Sequence, residues 1–415
     1  MVKCVAAFMD FCYLVRRNGI TSDALHEIEN KLEQFHRYRT IFIRTGVRMD
    51  ISLPRQHALK HYPRSIRLYG SPNGLCSSMT ESKHIKAVKE PWRRSSRHKA
   101  LVQMLRTNCR MDKMAFAQRA FARQGMMAGT TSAYMAMTLR GEQPAVHETP
   151  NNEDNDIGPA SGPKVLSSIH LATTRGMLCC TVLSPPKLID VYLERSYPAT
   201  LEALSIHIQQ PQLPELIHHF LYDQMHPNSP VWTTDIALDD WPQFYGRISV
   251  FHSAIARFYA PSDLCGAGGM YKEHIRSTPL WQGESARRDT VFVETDKELP
   301  GMRGMTIGHV FLFFSFMFRD VHYPCALVHW YSLVGTEPDE DTGLWVVSPE
   351  FEATNGRRSL AVIHLECIAR GALLSGVCGS SFVPEGLDFR DTLDIFQAYF
   401  VNCYADHHAH EFLAT

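Results

Sequence analysis

Apolar residues recur three and four positions apart through the first third of the chain. Val5, Phe8, Met9, Cys12, Leu14 and Val15 make one helical stripe, and Leu25, Ile28, Leu32 and Phe35 make a second. Thr21 and Ser22 stand where the second helix needs a cap. Pro54 opens a further helical segment to about Leu68, which Gly70-Ser71-Pro72-Asn73-Gly74 breaks. Helical stretches follow from about Thr80 to Lys89 and from about Arg97 to Gln124. The pattern therefore predicts a nearly all-helical part over residues 1–140.

Residues 141–168 are rich in Asn, Asp, Glu, Gly, Pro and Ser and offer little apolar surface to bury. They read as a disordered acidic linker. Residues 169–245 read as a mixed helical connector, with helices around Leu201–Ile208 and Leu213–Met225. Residues 246–415 read as a β-rich part, with the pattern changing to strands from 289 onward. Thr290–Val293, Ile307–Phe318, Cys325–Leu333, Leu344–Val347 and Leu360–Leu365 are β-branched or aromatic runs. Turn chemistry separates them: Pro300-Gly301, Asp341-Thr342-Gly343 and Asn355-Gly356. Five strands at this spacing predict a small barrel, followed by a C-terminal helix.

Charge changes the picture more than composition does. The chain carries 42 Lys and Arg against 43 Asp and Glu, but residues 1–140 hold 25 basic and 9 acidic side chains. The remainder is correspondingly acidic. Such asymmetry points to a polyanion partner for the first part, with nucleic acid foremost. The eleven cysteines form no C-x-x-C pair, which argues against a disulfide framework or zinc module. The apolar start is interrupted by Lys3 and Asp10 and reads as an amphipathic helix instead of a signal peptide. Val310–Phe318 is about half the length a membrane span requires. A soluble intracellular protein with no membrane partner is expected.

The densest basic segment runs from Lys83 to Arg123, with only Glu90 and Asp112 against it. Lys83, Lys86 and Lys89 fall near one helical face, and Arg93, Arg94, Arg97 and Lys99 follow. Phosphate contact is the reading for these seven. Glu81 stands among the lysines at a helix start. A carboxylate in a basic groove suits Mg²⁺-dependent phosphoryl transfer, whereas Ser78-Met79-Thr80-Glu81 also fits a capping box. His407, His408 and His410 lie beside Asp406 and Glu411, but neighbouring histidines on a helix point apart, which disfavours a shared ion. Trp330, Tyr331 and Trp345 fit either a peptide-binding aromatic surface or the core. Gly266-Ala267-Gly268-Gly269 lacks the Lys-Ser/Thr of a P-loop, and Asp339-Glu340-Asp341 reads as an acidic hairpin turn.

Phe11-Cys12-Tyr13-Leu14-Val15-Arg16-Arg17, Leu53-Pro54-Arg55-Gln56-His57 and the run from Gly70 to Lys89 with Pro91-Trp92-Arg93-Arg94-Ser95-Ser96 resemble the Plavaka transposases. These belong to the CACTA-like DNA transposons of mushroom-forming fungi. Ile248-Ser249-Val250-Phe251-His252, Tyr259-Ala260-Pro261-Ser262-Asp263, Cys325-Ala326-Leu327-Val328-His329-Trp330 and Asp406-His407-His408 resemble the same proteins. The resemblance implies an RNase H-like DDE/D enzyme that cuts and joins DNA with Mg²⁺ held by three carboxylates. Glu81 would be the third of them, both catalytic residue and metal ligand. In such relatives the strands bearing the first two aspartates lie upstream of the matching residues, so catalysis by this chain alone is not expected.

The expected fold class is α+β. A helical N-terminal part, the remnant of an RNase H-like transposase core with its helical insertion, precedes a small BAH-like β-barrel. The expected function is a C-terminal fragment of a DDE/D transposase, nuclear, binding double-stranded DNA through its backbone. One alternative is an active transposase subunit whose missing carboxylates come from upstream or in trans. The other is a module that binds a chromatin or protein partner through the barrel.

Overall fold

The computed structural model describes residues 1–75, 84–123, 157–160, 164–172, 197–226, 241–265, 268–281, 285–379, 383 and 386–413. Contacts divide the chain into two compact units, Met1–Ser65 with Asp156–Thr415, and Ile66–Asn155.

In the larger unit, α1 (Val2–Val15) and α2 (Ser22–Tyr38) form a helical hairpin. Cys4, Ala7, Phe11 and Leu14 are buried along α1, and Ala24, Ile28, Leu32 and Phe35 along α2. Each set recurs at steps of three and four residues, which puts its side chains on one face. Thr21 caps α2 as its position predicts, its Oγ1 accepting from the Ala24 amide at 3.2 Å. Short helices α3 (Ile41–Arg44), α4 (Pro54–Ala58) and α5 (Tyr62–Tyr69) follow.

The rest of this unit is dominated by antiparallel strands that curl into a nearly closed, barrel-like arrangement. The strands are β1 (Ile157–Pro159), β2 (Ser167–Ala172), β3 (Ile248–Phe251), β4 (Ser253–Tyr259), β5 (Met270–Trp281), β6 (Ser285–Arg288) and β7 (Thr290–Glu294). They continue as β8 (Met305–Phe318), β9 (Val321–Leu333), β10 (Trp345–Pro349), β11 (Leu360–His364), β12 (Ile368–Ala372), β13 (Leu374–Gly376) and β14 (Tyr399–Val401). The larger sheet runs β12-β7-β8-β9-β10-β14-β13, with β11 on β9 and β3 on β8. The smaller runs β1-β5-β4-β2, with β6 on β5. The predicted runs coincide with β7 to β11. Gly301, Gly343 and Gly356 take positive φ at the three predicted turns.

One core fills the space between the sheets. Ile169, Ala256, Phe258 and Ile275 meet Val291, Val310, Phe313 and Val328 there. A second core covers the other face of β8, β9 and β11. Helix α6 (Glu90–Arg94) and helix α7 (Ala100–Arg123) belong to the smaller unit. Helix α8 (Leu201–His207) and helix α9 (Leu213–Met225) lay Leu204, Leu213, Ile217 and Phe220 on Leu312, Phe314, Phe316 and Leu327. Strand β8 is thus buried on both faces, which is why its sequence is almost continuously apolar. A bulge at Phe311 shifts its register against β9, so Val310 and Leu312 serve different cores. The chain closes with α10 (Thr392–Ile395) and α11 (His407–Leu413).

Candidate nucleic-acid interface

In the smaller unit a single π-helical turn, Ile85–Lys89, leads into α6, and a five-residue connection leads into α7. That connection is built from side-chain hydrogen bonds. Ser95 Oγ donates to the Trp92 carbonyl at 2.8 Å and accepts from the Arg97 amide at 3.2 Å. Gln103 reaches back from α7, its amide nitrogen donating to Ser96 Oγ at 2.8 Å and to the His98 carbonyl at 2.7 Å. Within this clamp Arg97 and Lys99 take positive φ values of 62° and 47°. Left-handed backbone costs free energy at a non-glycine residue and persists where surroundings enforce it. Asn108 ties α7 to the π-helical turn by donating to the Ala87 carbonyl at 2.8 Å.

The scaffold displays cations. Lys89, Arg93, Arg94, Arg97 and Lys99 are exposed, as are Arg106, Arg110, Lys113 and Arg119 along α7. Arg106, Arg110 and Lys113 are spaced to share one helical face. Among the described residues none of these nine side chains makes an ion pair or hydrogen bond. Helix α7 also exposes Leu101, Leu105, Met114 and Phe116 around its circumference. Such a helix is built to lie against other surfaces.

Of the residues assigned to DNA from sequence, Lys89 to Lys99 therefore lie together on a clamped helix-turn-helix surface. Lys86 lies in the π-helical turn. Lys83 and Glu81 lie outside the described residues, so the Mg²⁺ assignment to Glu81 has no structural counterpart here. Among the described residues no group of three or more His, Cys, Asp or Glu is placed to hold a metal ion.

The histidine-rich C-terminal helix has a different role. Arg370, on β12 and 3% exposed, grips Asp406 with both terminal nitrogens, at 2.9 and 2.6 Å, and contacts Glu273 at 3.3 Å. It also donates to His408 Nδ1 at 2.8 Å, which requires that imidazole to be neutral and to carry its proton on Nε2. Burial, reinforced by the Arg370 charge, lowers the His408 pKa to about 4. Burial opposes ionisation of Asp406, but the bonds from Arg370 outweigh it and hold the carboxyl below its ordinary range. Glu273 moves the other way because it is fully enclosed. Asp263 accepts from the His407 and His408 amides at 3.0 and 2.9 Å, capping α11. On the other side, Asp10 accepts from Tyr404 at 2.6 Å and pairs with Lys31 at 2.7 Å, and Tyr13 donates to the Tyr404 carbonyl at 2.6 Å. The cluster ties α1 and α2 to α11 and the sheets.

Sequence reading missed Glu273 and Arg370. The signal available was a single charge inside an otherwise strand-like run, Ile368-Ala369-Arg370-Gly371-Ala372. The aromatic trio resolves into core positions: Tyr331 is 1% exposed and donates to the Leu393 carbonyl, and Trp330 and Trp345 pack against separate cores.

Comparison with protein-family models, curated proteins and solved structures finds no match. The surface chemistry has to carry the functional argument.

Proposed function

We propose that this chain binds the phosphate backbone of double-stranded DNA through Lys89, Arg93, Arg94, Arg97 and Lys99. Arg106, Arg110 and Lys113 extend the contact along α7, and the sequence assigns Lys83 and Lys86 to the same role. The observation that carries the reading is the set of nine exposed cations that meet no acidic partner among the described residues. Ordinary protein surfaces intersperse both signs, and a cluster left unpaired is stabilised by an external polyanion.

We infer from the resemblance of the motifs between Gly70 and Ser96 that the chain is the C-terminal portion of a Plavaka-type DDE/D transposase, and a nuclear location is part of that proposal. The apolar residues exposed around α7 fit a helix that lies within an RNase H-like core of that family. The barrel-like sheet then corresponds to its BAH-like module. Strand transfer by this chain alone is not part of the proposal.

The test is fluorescence anisotropy of the full chain on a duplex of random sequence. Each phosphate neutralised gives a slope of about −0.9 in log K against log salt. Five contacts therefore weaken binding roughly 500-fold between 50 and 200 mM salt. Replacing Lys89, Arg93 and Arg94 together with Ala is expected to weaken binding and to flatten the slope by about three. Absence of binding at 50 mM salt, or an unchanged slope in the triple variant, overturns the reading.

A further inference from the structure

A second cation stands apart from the helical surface. Arg288 ends β6, its guanidinium stacked 4.8 Å from the centre of the Phe311 ring. Arg358 reaches the same ring at 5.3 Å. The neighbouring guanidiniums have partners: Arg358 is 2.6 Å from Asp394, and Arg287 is 2.9 Å from Asp289. Arg288 has none, forming neither an ion pair nor a hydrogen bond among the described residues.

Arg288 borders a cavity of about 280 Å³ beside the C-terminal end of α8. His207, Gln209 and Gln210 line the opposite wall, and no Asp or Glu is among the residues lining it. The side chains of these three also hydrogen-bond to nothing among the described residues. A helix C-terminus ordinarily repels anions through its free carbonyls. Here the Ile208, Gln209 and Gln210 amides donate to the Leu204, Ile206 and Ser205 carbonyls at 3.0, 3.1 and 2.9 Å. Gln209 adopts a φ of 57° to close that cap. Ile208 and Leu312 supply an apolar side to the same cavity.

We propose that this cavity binds a small organic phosphate, its anionic group held by Arg288, His207, Gln209 and Gln210 and its apolar body lying against Ile208 and Leu312. Guanidinium forks match phosphate oxygens, and amide and imidazole N–H groups add charge-assisted bonds. Arg288 is exposed, yet partial desolvation at the cavity wall and the adjacent Arg358 charge lower its pKa, and a bound dianion also relieves repulsion between the two guanidiniums. The proposal does not depend on the DNA-binding reading, which concerns the other compact unit.

The experiment is thermal melting of the full chain against increasing phenyl phosphate, with inorganic phosphate as the comparison. Ligands that bind only the folded state raise the melting temperature by mass action. Phenyl phosphate is expected to stabilise the wild-type chain at lower concentration than inorganic phosphate. Arg288→Gln is expected to weaken the apparent affinity at least about tenfold. Gln210→Glu, which sets a carboxylate on the wall and leaves Arg288 in place, is expected to do the same. The triple Ala variant at Lys89, Arg93 and Arg94 is expected to respond like wild type. Wild-type affinity in folded R288Q and Q210E, or no shift at millimolar phenyl phosphate, overturns the proposal. So does an effect lost only in the triple variant. Equal affinity for both phosphates overturns the apolar half of the site.

Discussion

His309 shows how much a single buried side chain fixes. It lies on β8 opposite Thr290 and His329, 5% exposed. Burial, with the charges of Arg288 and Arg358 adding to it and Asp394 opposing, lowers its pKa from 6.5 to about 3. The unfolded chain therefore takes up a proton below pH 6.5 that the folded chain refuses. Stability falls as pH drops through that window, and the loss levels off only near pH 3. His408 acts in the same direction, with its lower limit at about pH 4. Asp10, held at about 2, adds a loss only below the ordinary carboxylate range. Between pH 7 and pH 5 each of the two histidines is expected to remove about 2 kcal/mol. His309→Gln is expected to flatten the pH dependence by that amount in urea denaturation at the two pH values. An unchanged difference between pH 7 and pH 5 would count against a neutral, buried His309.

At the scale of elements, the turn between β7 and β8 depends on Gly304. Its carbonyl accepts from the Thr295 and Asp296 amides at 2.9 and 3.0 Å. A Cβ there would collide with the carbonyl oxygens of Asp296 and Leu299, and neither backbone group is free to move. Gly304→Ala is expected to cost about 2 kcal/mol. Gly19→Ala, where nothing lies within reach, is expected to be close to neutral in the same melting experiment. Strands β7 to β11 were legible because alternation or apolar runs ended at Gly-containing turns. Strand β5 was not, since Tyr271-Lys272-Glu273-His274-Ile275-Arg276 interleaves charges that pairing with β4 and β1 accommodates. Strands β13 and β14, three residues each, are too short to show a period, and β12 carries Arg370 and Gly371 within its five. The basic helices were legible from charge alone because their residues are consecutive. The Arg288 cavity was not, because its donors come from the end of α8 and from β6, which only the fold brings together.

For the whole molecule, the opposite charges of its two sequence halves describe a tendency, and the structure gives that tendency an address. Among the described residues, nine exposed cations from Lys89 to Arg119 make no ion pair, whereas several of the larger unit are paired. Lys31 serves Asp10, Arg303 serves Glu337, and Arg370 serves Asp406 and Glu273. Salt dependence of DNA binding is therefore expected to follow the helical surface. Charge reversal on the larger unit, Arg303→Glu for example, is expected to leave the slope in the anisotropy experiment unchanged. A slope altered as much by R303E as by the triple Ala variant would place the contact elsewhere.

The cluster joining α1 to α11 also sets an order of events in time. Asp10 and Tyr404 are separated by 394 positions, so their hydrogen bond closes a loop almost as long as the chain. Contacts of such high sequence separation form late, after nearer pairings have shortened the effective loop. Asp10→Asn is accordingly expected to accelerate unfolding, by about tenfold if it removes about 1.4 kcal/mol, and to leave the refolding rate nearly unchanged. Comparable slowing of refolding in stopped-flow measurements would show the contact forming early. During synthesis the apolar stripes of α1 and α2 emerge well before the residues near 404 that anchor them. Until those residues follow, the hairpin is expected to be open to capture by chaperones.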